Sequence, residues 1–196
     1  MLQQSRLIVG ISGASGAIYG VRLLTFLRKC NIESHLVVSR AGWVTLQQEL
    51  GIDKNILYEQ ADVVYSPQDI GAVIASGSFF NMGMLIAPCS IRTMSEINTG
   101  ITSTLMSRVA DVILKEKRKL VLMIRETPLH LGHLRTMTTL TEMGAVIMPP
   151  VPAFYTHPKS INDMVDYTIS RALNIFGIFT KLSSSWLGMK NKKHYF

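Results

Sequence analysis

Four stretches of this 196-residue chain combine residue types that can do chemistry. The first is Gly10-Ile-Ser-Gly-Ala-Ser-Gly16, set between an apolar run and a helical pattern. Free N–H groups and the helix dipole attract phosphate at such a turn. Small residues admit close backbone approach, and Ser12 and Ser15 add hydroxyl donors. The motif is not G-x-G-x-x-G, because Ser12 stands where a glycine is needed, so the dinucleotide fingerprint is broken. Gly13 and Gly16 either cradle phosphate or only shape a turn, and the strand–loop–helix order favours phosphate. The second stretch is Pro88-Cys-Ser-Ile-Arg-Thr93. Ser90 is a natural N-cap with Thr93 in the first turn, which offers a second anion or carbonyl site. Cys89 is either a nucleophile or a small buried apolar residue. No base is evident beside it, which favours the second reading.

The third stretch is Ser107-Arg-Val-Ala-Asp-Val-Ile-Leu-Lys-Glu-Lys-Arg118, followed by a strand and Arg125-Glu126. Arg108 and Lys115 are seven apart and share a helix face. Arg suits bidentate phosphate recognition and Lys acts as a point charge. Glu126 among such cations could relay a proton to a phosphate. The plainer reading, a surface charge cluster, fits Glu116, Lys117 and Arg118 better than Arg125 and Glu126. The fourth stretch is the stiff Pro149-Pro-Val-Pro-Ala-Phe-Tyr155 loop, with Arg171 on the next helix. Tyr155 and Arg171 form either a phosphate clamp or a rigid structural connection. The histidines at 35, 130, 133, 157 and 194 make no metal pattern, so no metal is expected.

These residues need elements to position them. Apolar runs at residues 6–11, 34–38, 84–87, 120–124 and 144–148 read as strands. Helical patterns fall at residues 14–29, 41–50, 93–99, 103–117, 130–143 and 161–176. Residues 66–81 read as a helix-and-loop connection. Short, non-alternating apolar strands between helices imply a parallel sheet covered on both faces. The expected fold is therefore α/β: a three-layer, doubly wound parallel sheet, Rossmann-like or flavodoxin-like, in a single domain spanning residues 1–196. Ligands bind such sheets at the carboxyl ends of the strands. Residues 12–16, 39–40, 89–93, 125–128 and 149–155 should therefore converge on one site.

Composition narrows the function. The net charge is +7, which favours anionic partners, yet basic residues are not interleaved with aromatics, so nucleic acid is not expected. Charged residues are 17% of the chain, against about 25% in ordinary soluble domains. No apolar run is long enough to span a membrane. The reading is a cytoplasmic protein whose missing charges reflect subunit interfaces. The tail from about residue 181, with Trp186, is expected to pack on a neighbouring subunit or to be mobile.

The motifs together closely resemble the UbiX-type flavin prenyltransferases, historically labelled phenylacrylic or hydroxyarylic acid decarboxylase subunits. The resemblance covers residues 6–177. Its markers are Gly13-Ala-Ser-Gly16, Pro88-Cys-Ser90, Ser107-Arg108, Ala110-Asp-Val112, Leu114-Lys-Glu116, Arg125-Glu-Thr-Pro128, Gly144-Ala-Val-Ile147 and Phe154-Tyr155. It implies FMN as the bound flavin, reduced FMN being prenylated at N5 and C6 from dimethylallyl monophosphate. The product would serve a UbiD-type aromatic acid decarboxylase. The resemblance also implies metal independence and large homo-oligomers, typically dodecamers. Gly13, Ala14, Ser15, Ser39, Ser90, Ile91, Arg92, Thr93 and Arg125 would contact the flavin nucleotide. Arg108, Lys115, Tyr155 and Arg171 would hold the donor phosphate, with Lys115 also counted as catalytic. Glu126 would supply the proton, and Glu49 would assist proton movement. Some of these groups would come from neighbouring subunits. Three rivals carry other functions: a non-catalytic FMN-binding decarboxylase subunit, a flavin-dependent decarboxylase, and an NADP reductase using Arg40 against a 2′-phosphate.

Overall fold

The computed structural model describes residues 5–180; the tail and Trp186 lie outside the described residues. The described residues form six strands: β1 (Arg6–Ile11), β2 (Glu33–Val38), β3 (Val63–Tyr65), β4 (Gly83–Cys89), β5 (Lys119–Ile124) and β6 (Ala145–Ile147). All pair in parallel, in the order β3-β2-β1-β4-β5-β6. The strand order reverses between β1 and β4, and there the carboxyl ends open a crevice.

Helices cover both faces. On one lie α1 (Ala17–Lys29), α2 (Arg40–Leu50), α3 (Lys54–Tyr58) and α7 (Ile161–Ile175). Leu23, Leu24 and Leu27 of α1 meet Leu46, Ile169 and Leu173 over β1 and β2. On the other lie α4 (Ile91–Asn98), α5 (Leu105–Lys115) and α6 (Leu131–Glu142). There Met94, Ile97, Val109, Ile113 and Leu140 bury Ile8, Ile86 and Leu122. The strands point apolar side chains to both layers, so they read as unbroken apolar runs rather than alternating ones.

Differences from the sequence reading have local causes. The first helix begins at Ala17, not at residue 14, because Gly16 is left-handed (φ 97°) and residues 12–16 form a turn. The short elements α3 and β3 were not expected. Between residues 66 and 81 only a 3-10 turn, Val73–Ala75, forms in place of a helix. β4 runs past Pro88 to Cys89, with a register shift between Ile86 and Cys89.

Ser12 explains its own departure from glycine. It is fully buried at the switch point. Its hydroxyl donates to the Pro88 carbonyl at 3.0 Å and accepts from the Ser90 N–H at 2.7 Å. It thus stitches the ends of β1 and β4 together. Ser12→Ala strands the Ser90 N–H and should cost about 1–3 kcal/mol. Urea unfolding checks this; an unchanged midpoint would mean that another acceptor replaces the hydroxyl.

Candidate active site

The loop of residues 12–16 divides the crevice into two clefts. The first, of about 420 Å³, is lined by Gly13, Ser39, Arg40, Ser90, Arg92 and Thr93, among others. Two helix N-termini open onto it. Ser39 caps α2 by accepting from Gly42 N–H at 2.9 Å. Ser90 caps α4, accepting from Thr93 N–H at 3.3 Å. Gly13 is required by packing, since a Cβ there would lie 2.3 Å from that of Ala41. Two helix dipoles, two hydroxyls and the guanidinium groups of Arg40 and Arg92 make this cleft receptive to a phosphate monoester. Arg40 therefore borders the phosphate cleft itself; Glu96, also in its lining, pairs with Arg92 at 2.9 Å.

The second cleft, of about 490 Å³, is lined by Ser15, Gly16, Tyr19, Arg125, Glu126 and residues 149–152, among others. Its walls are mostly apolar, with Arg125 and Glu126 as its charged groups. Arg125 donates from Nε to the Ser15 carbonyl at 3.2 Å, which ties the end of β5 to the loop. Glu126 Oε1 accepts from Thr127 N–H at 3.0 Å. Tyr19, in the first turn of α1, was missed in the sequence.

Glu49 takes a position that sequence reasoning did not foresee. Its carboxylate accepts from Gly16 N–H at 2.9 Å and 3.1 Å, and from Ala17 N–H at 2.9 Å. It therefore fills the α1 N-terminus that the loop motif alone would have offered to phosphate, leaving the α2 and α4 termini for that ligand. Partial burial pushes the Glu49 carboxyl up. Hydrogen bonds from Ser15, Ala17 and Gly16, with the Arg125 charge, outweigh burial and hold it below the ordinary value of 4.5. A carboxyl kept ionised in this way is a fixed charge and a poor proton donor. Its folded value lies below its unfolded one, so its stabilisation is present above about pH 4.5 and fades as pH falls through the folded value. Glu49→Gln should therefore be less stable than the parent at pH 7, with the gap narrowing toward pH 3. Thermal melts across that range check this, and a pH-independent gap would contradict it.

The structure brings Gly13, Ser39, Ser90, Arg92 and Thr93 together around one cleft, and Ser15, Arg125 and Glu126 around the other. Ala14 is buried in the loop between them, and Ile91 opens α4. Arg108, Lys115, Tyr155 and Arg171 line neither cleft. Arg108 pairs with Asp111 at 3.1 Å. Lys115, paired with Glu116 at 3.2 Å, ends α5 at the amino end of the sheet, where β5 begins. Tyr155 lies in a 3-10 turn, Phe154–Thr156, and hydrogen-bonds the hydroxyl of Tyr167 on α7, the helix that also carries Arg171.

One secondary reading changes. Arg118 is not a loose surface charge, since it donates to the carbonyls of Phe79 and Gly77 at 2.7 and 2.6 Å and pins that loop. His130 is the α6 N-cap, its Nδ1 accepting from Gly132 N–H at 3.0 Å, and its ring stacks on that of His133 with centroids 3.6 Å apart. Cys89 is fully buried and burial pushes its thiol up, which argues against nucleophilic chemistry there. Among the described residues, no group of three or more His, Cys, Asp or Glu could hold a metal. No helix among them is long and apolar enough to cross a membrane.

A parallel sheet in this order with phosphate-receptive loops at its switch point defines a nucleotide-binding site of the doubly wound α/β class. The sequence profile of the family described as Flavoprotein matches residues 1–173. The chain belongs, within that family, to the UbiX-type flavin prenyltransferases. It is 57% identical over 174 residues to the flavin prenyltransferase UbiX of Escherichia coli K12, covering 88% of this chain and 92% of that one. It is 46% identical to a probable UbiX-like flavin prenyltransferase of Bacillus subtilis, covering 96% and 92%. Among solved structures, AnUbiX (PadA1) in complex with FMN and dimethylallyl pyrophosphate superposes with a TM-score of 0.93 at 42% identity, covering 95% and 99%. A dodecameric FMN-dependent UbiX-like decarboxylase from Escherichia coli O157:H7 superposes with a TM-score of 0.90 at 43% identity, covering 93% and 100%.

Proposed function

We propose that this prenyltransferase joins a dimethylallyl group from dimethylallyl monophosphate to reduced FMN at N5 and C6. The observation that carries the reading is the pair of clefts flanking one loop: a phosphate-receptive cleft beside a mostly apolar one that holds Arg125 and Glu126. The residues fit FMN. Two capped helix N-termini with Arg40 and Arg92 suit its single phosphate, and the apolar cleft suits a flat ring system. Reduced FMN, as substrate, supplies the nucleophilic positions that the prenyl group joins.

The chain's own residues do the rest. Gly13, Ala14, Ser15, Ser39, Ser90, Ile91, Arg92, Thr93 and Arg125 hold the flavin nucleotide. Departure of phosphate from an allylic carbon builds negative charge on the leaving group. Arg108, Lys115, Tyr155 and Arg171 offset that charge as preorganised partners. Glu126 gives the leaving phosphate a proton. Apolar walls, including Tyr19 and the prolines at 149, 150 and 152, keep water from the allylic carbon. Glu49 holds the loop and Arg125 in place as a fixed charge rather than carrying protons.

Arg108 and Lys115 reach the site from neighbouring copies, so the working enzyme is a homo-oligomer, with a dodecamer as the expected form. The product passes to a UbiD-type decarboxylase, and the protein works in the cytoplasm. Donor choice tests the reading. Monophosphate should be turned over by the purified protein with reduced FMN, followed anaerobically by flavin absorbance. Turnover with the diphosphate alone would contradict the role given to Glu126, because a better leaving group needs less protonation.

A further inference from the structure

We infer that Tyr167 is a positioning residue for the donor phosphate, acting through Tyr155; the inference rests on the reading of Tyr155 as a phosphate ligand. The hydroxyls of Tyr155 and Tyr167 are hydrogen-bonded to each other. Each phenol carries one proton. If Tyr155 gives its proton to a phosphate oxygen, it has none left for Tyr167. Tyr167 must then donate and Tyr155 accept. In that orientation Tyr167 fixes the Tyr155 hydroxyl and polarises its O–H bond, since linked hydrogen bonds strengthen one another.

The surroundings suit this role. The two rings meet edge to face, with centroids 6.1 Å apart at 88°, so Tyr155 is held by packing as well as by the hydroxyl. The hydrogen bond with Tyr155, then burial, push the Tyr167 phenol above its ordinary value; Arg171 only partly opposes them. Tyr167 thus keeps its proton and remains a donor. Its helix is anchored at two points on its N-terminal side. Asp166, the preceding residue, takes a two-pronged hydrogen bond from Arg22 of α1 at 2.7 and 2.6 Å. At the helix start, Asp163 accepts from the N–H groups of Lys159 and Ser160 at 2.8 and 3.1 Å. Arg171 follows Tyr167 by one turn, so hydroxyl and guanidinium share a face of α7. The phosphate would then meet Tyr155 and Arg171, with Tyr167 between them on the protein side.

The test is a double-mutant cycle on the full-length enzyme: Tyr155→Phe, Tyr167→Phe and the double variant. Phe keeps each ring and removes only the hydroxyl. Tyr167→Phe should raise the KM for dimethylallyl monophosphate by about fivefold, the effect of one neutral hydrogen bond. FMN affinity should not change, and in the Tyr155→Phe background the Tyr167 effect should vanish. A raised KM for Tyr155→Phe with none for Tyr167→Phe would overturn the inference alone. Full additivity in the double variant would also overturn it, because Tyr167 would not be acting through Tyr155. An unchanged KM for Tyr155→Phe would overturn the underlying reading and the inference together.

Discussion

Glu126→Gln should bind FMN as the parent does and form product at least about 10²-fold more slowly, the usual weight of a positioned general acid. The substitution is a narrow one. The Gln side-chain oxygen can still accept the Thr127 N–H that Glu126 Oε1 accepts at 3.0 Å, so the turn after β5 keeps its shape. What disappears is the acid–base group of a cleft whose other charged group is Arg125. Monophosphate is a poor leaving group, and without protonation its departure should limit the rate. A flavin titration and a single-turnover rate measured on the same preparation separate binding from chemistry. Normal turnover would remove Glu126 from the acid/base role; loss of flavin binding would recast it as a structural residue.

The second large effect follows from where α5 ends. Lys115 lies at the amino end of the sheet and Glu126 just past its carboxyl end. The six residues of β5 between these ends span ~20 Å at the usual rise of a strand. One chain cannot bring both groups to one phosphate. If Lys115 serves the site at all, it serves a neighbour's. Lys115→Ala and Glu126→Gln should each be nearly inactive alone. Co-expressed, they should regain measurable activity, because a minority of sites in mixed oligomers then carry both original side chains. Assays of co-purified mixed oligomers, made with two affinity tags, check this. No recovery in verified mixed oligomers would place Lys115 outside the active site.

Some of this was open to reading in the sequence because it depends on neighbouring residues. The cap Ser90 is such a feature: a hydroxyl before a helical pattern accepts from the N–H three residues on. Five strands, including the three-residue β6, were legible as apolar runs because both sheet faces are covered. β3 was not. Its three half-buried residues sit between Asp62 and Ser66, so no longer apolar run marks them. The role of Glu49 was illegible for another reason. Its hydrogen bonds span 32 and 33 residues, and nothing local marks a carboxylate on the last turn of α2 as the cap of α1. The Tyr155–Tyr167 pair likewise joins a 3-10 turn to a helix 12 residues away. The sequence reading also gave Arg118 to solvent, since a Lys/Glu/Arg run usually lies there, whereas tertiary packing directs its guanidinium onto two loop carbonyls.

The central claim is that the isolated chain, assembled only with copies of itself, makes a prenylated flavin. Anaerobic incubation of the purified protein with reduced FMN and dimethylallyl monophosphate, then mass spectrometry of the released flavin, tests it most directly. The account predicts FMN carrying one added five-carbon unit, with no decarboxylase present. FMN recovered unmodified after tight binding, with either the monophosphate or the diphosphate as donor, would contradict it.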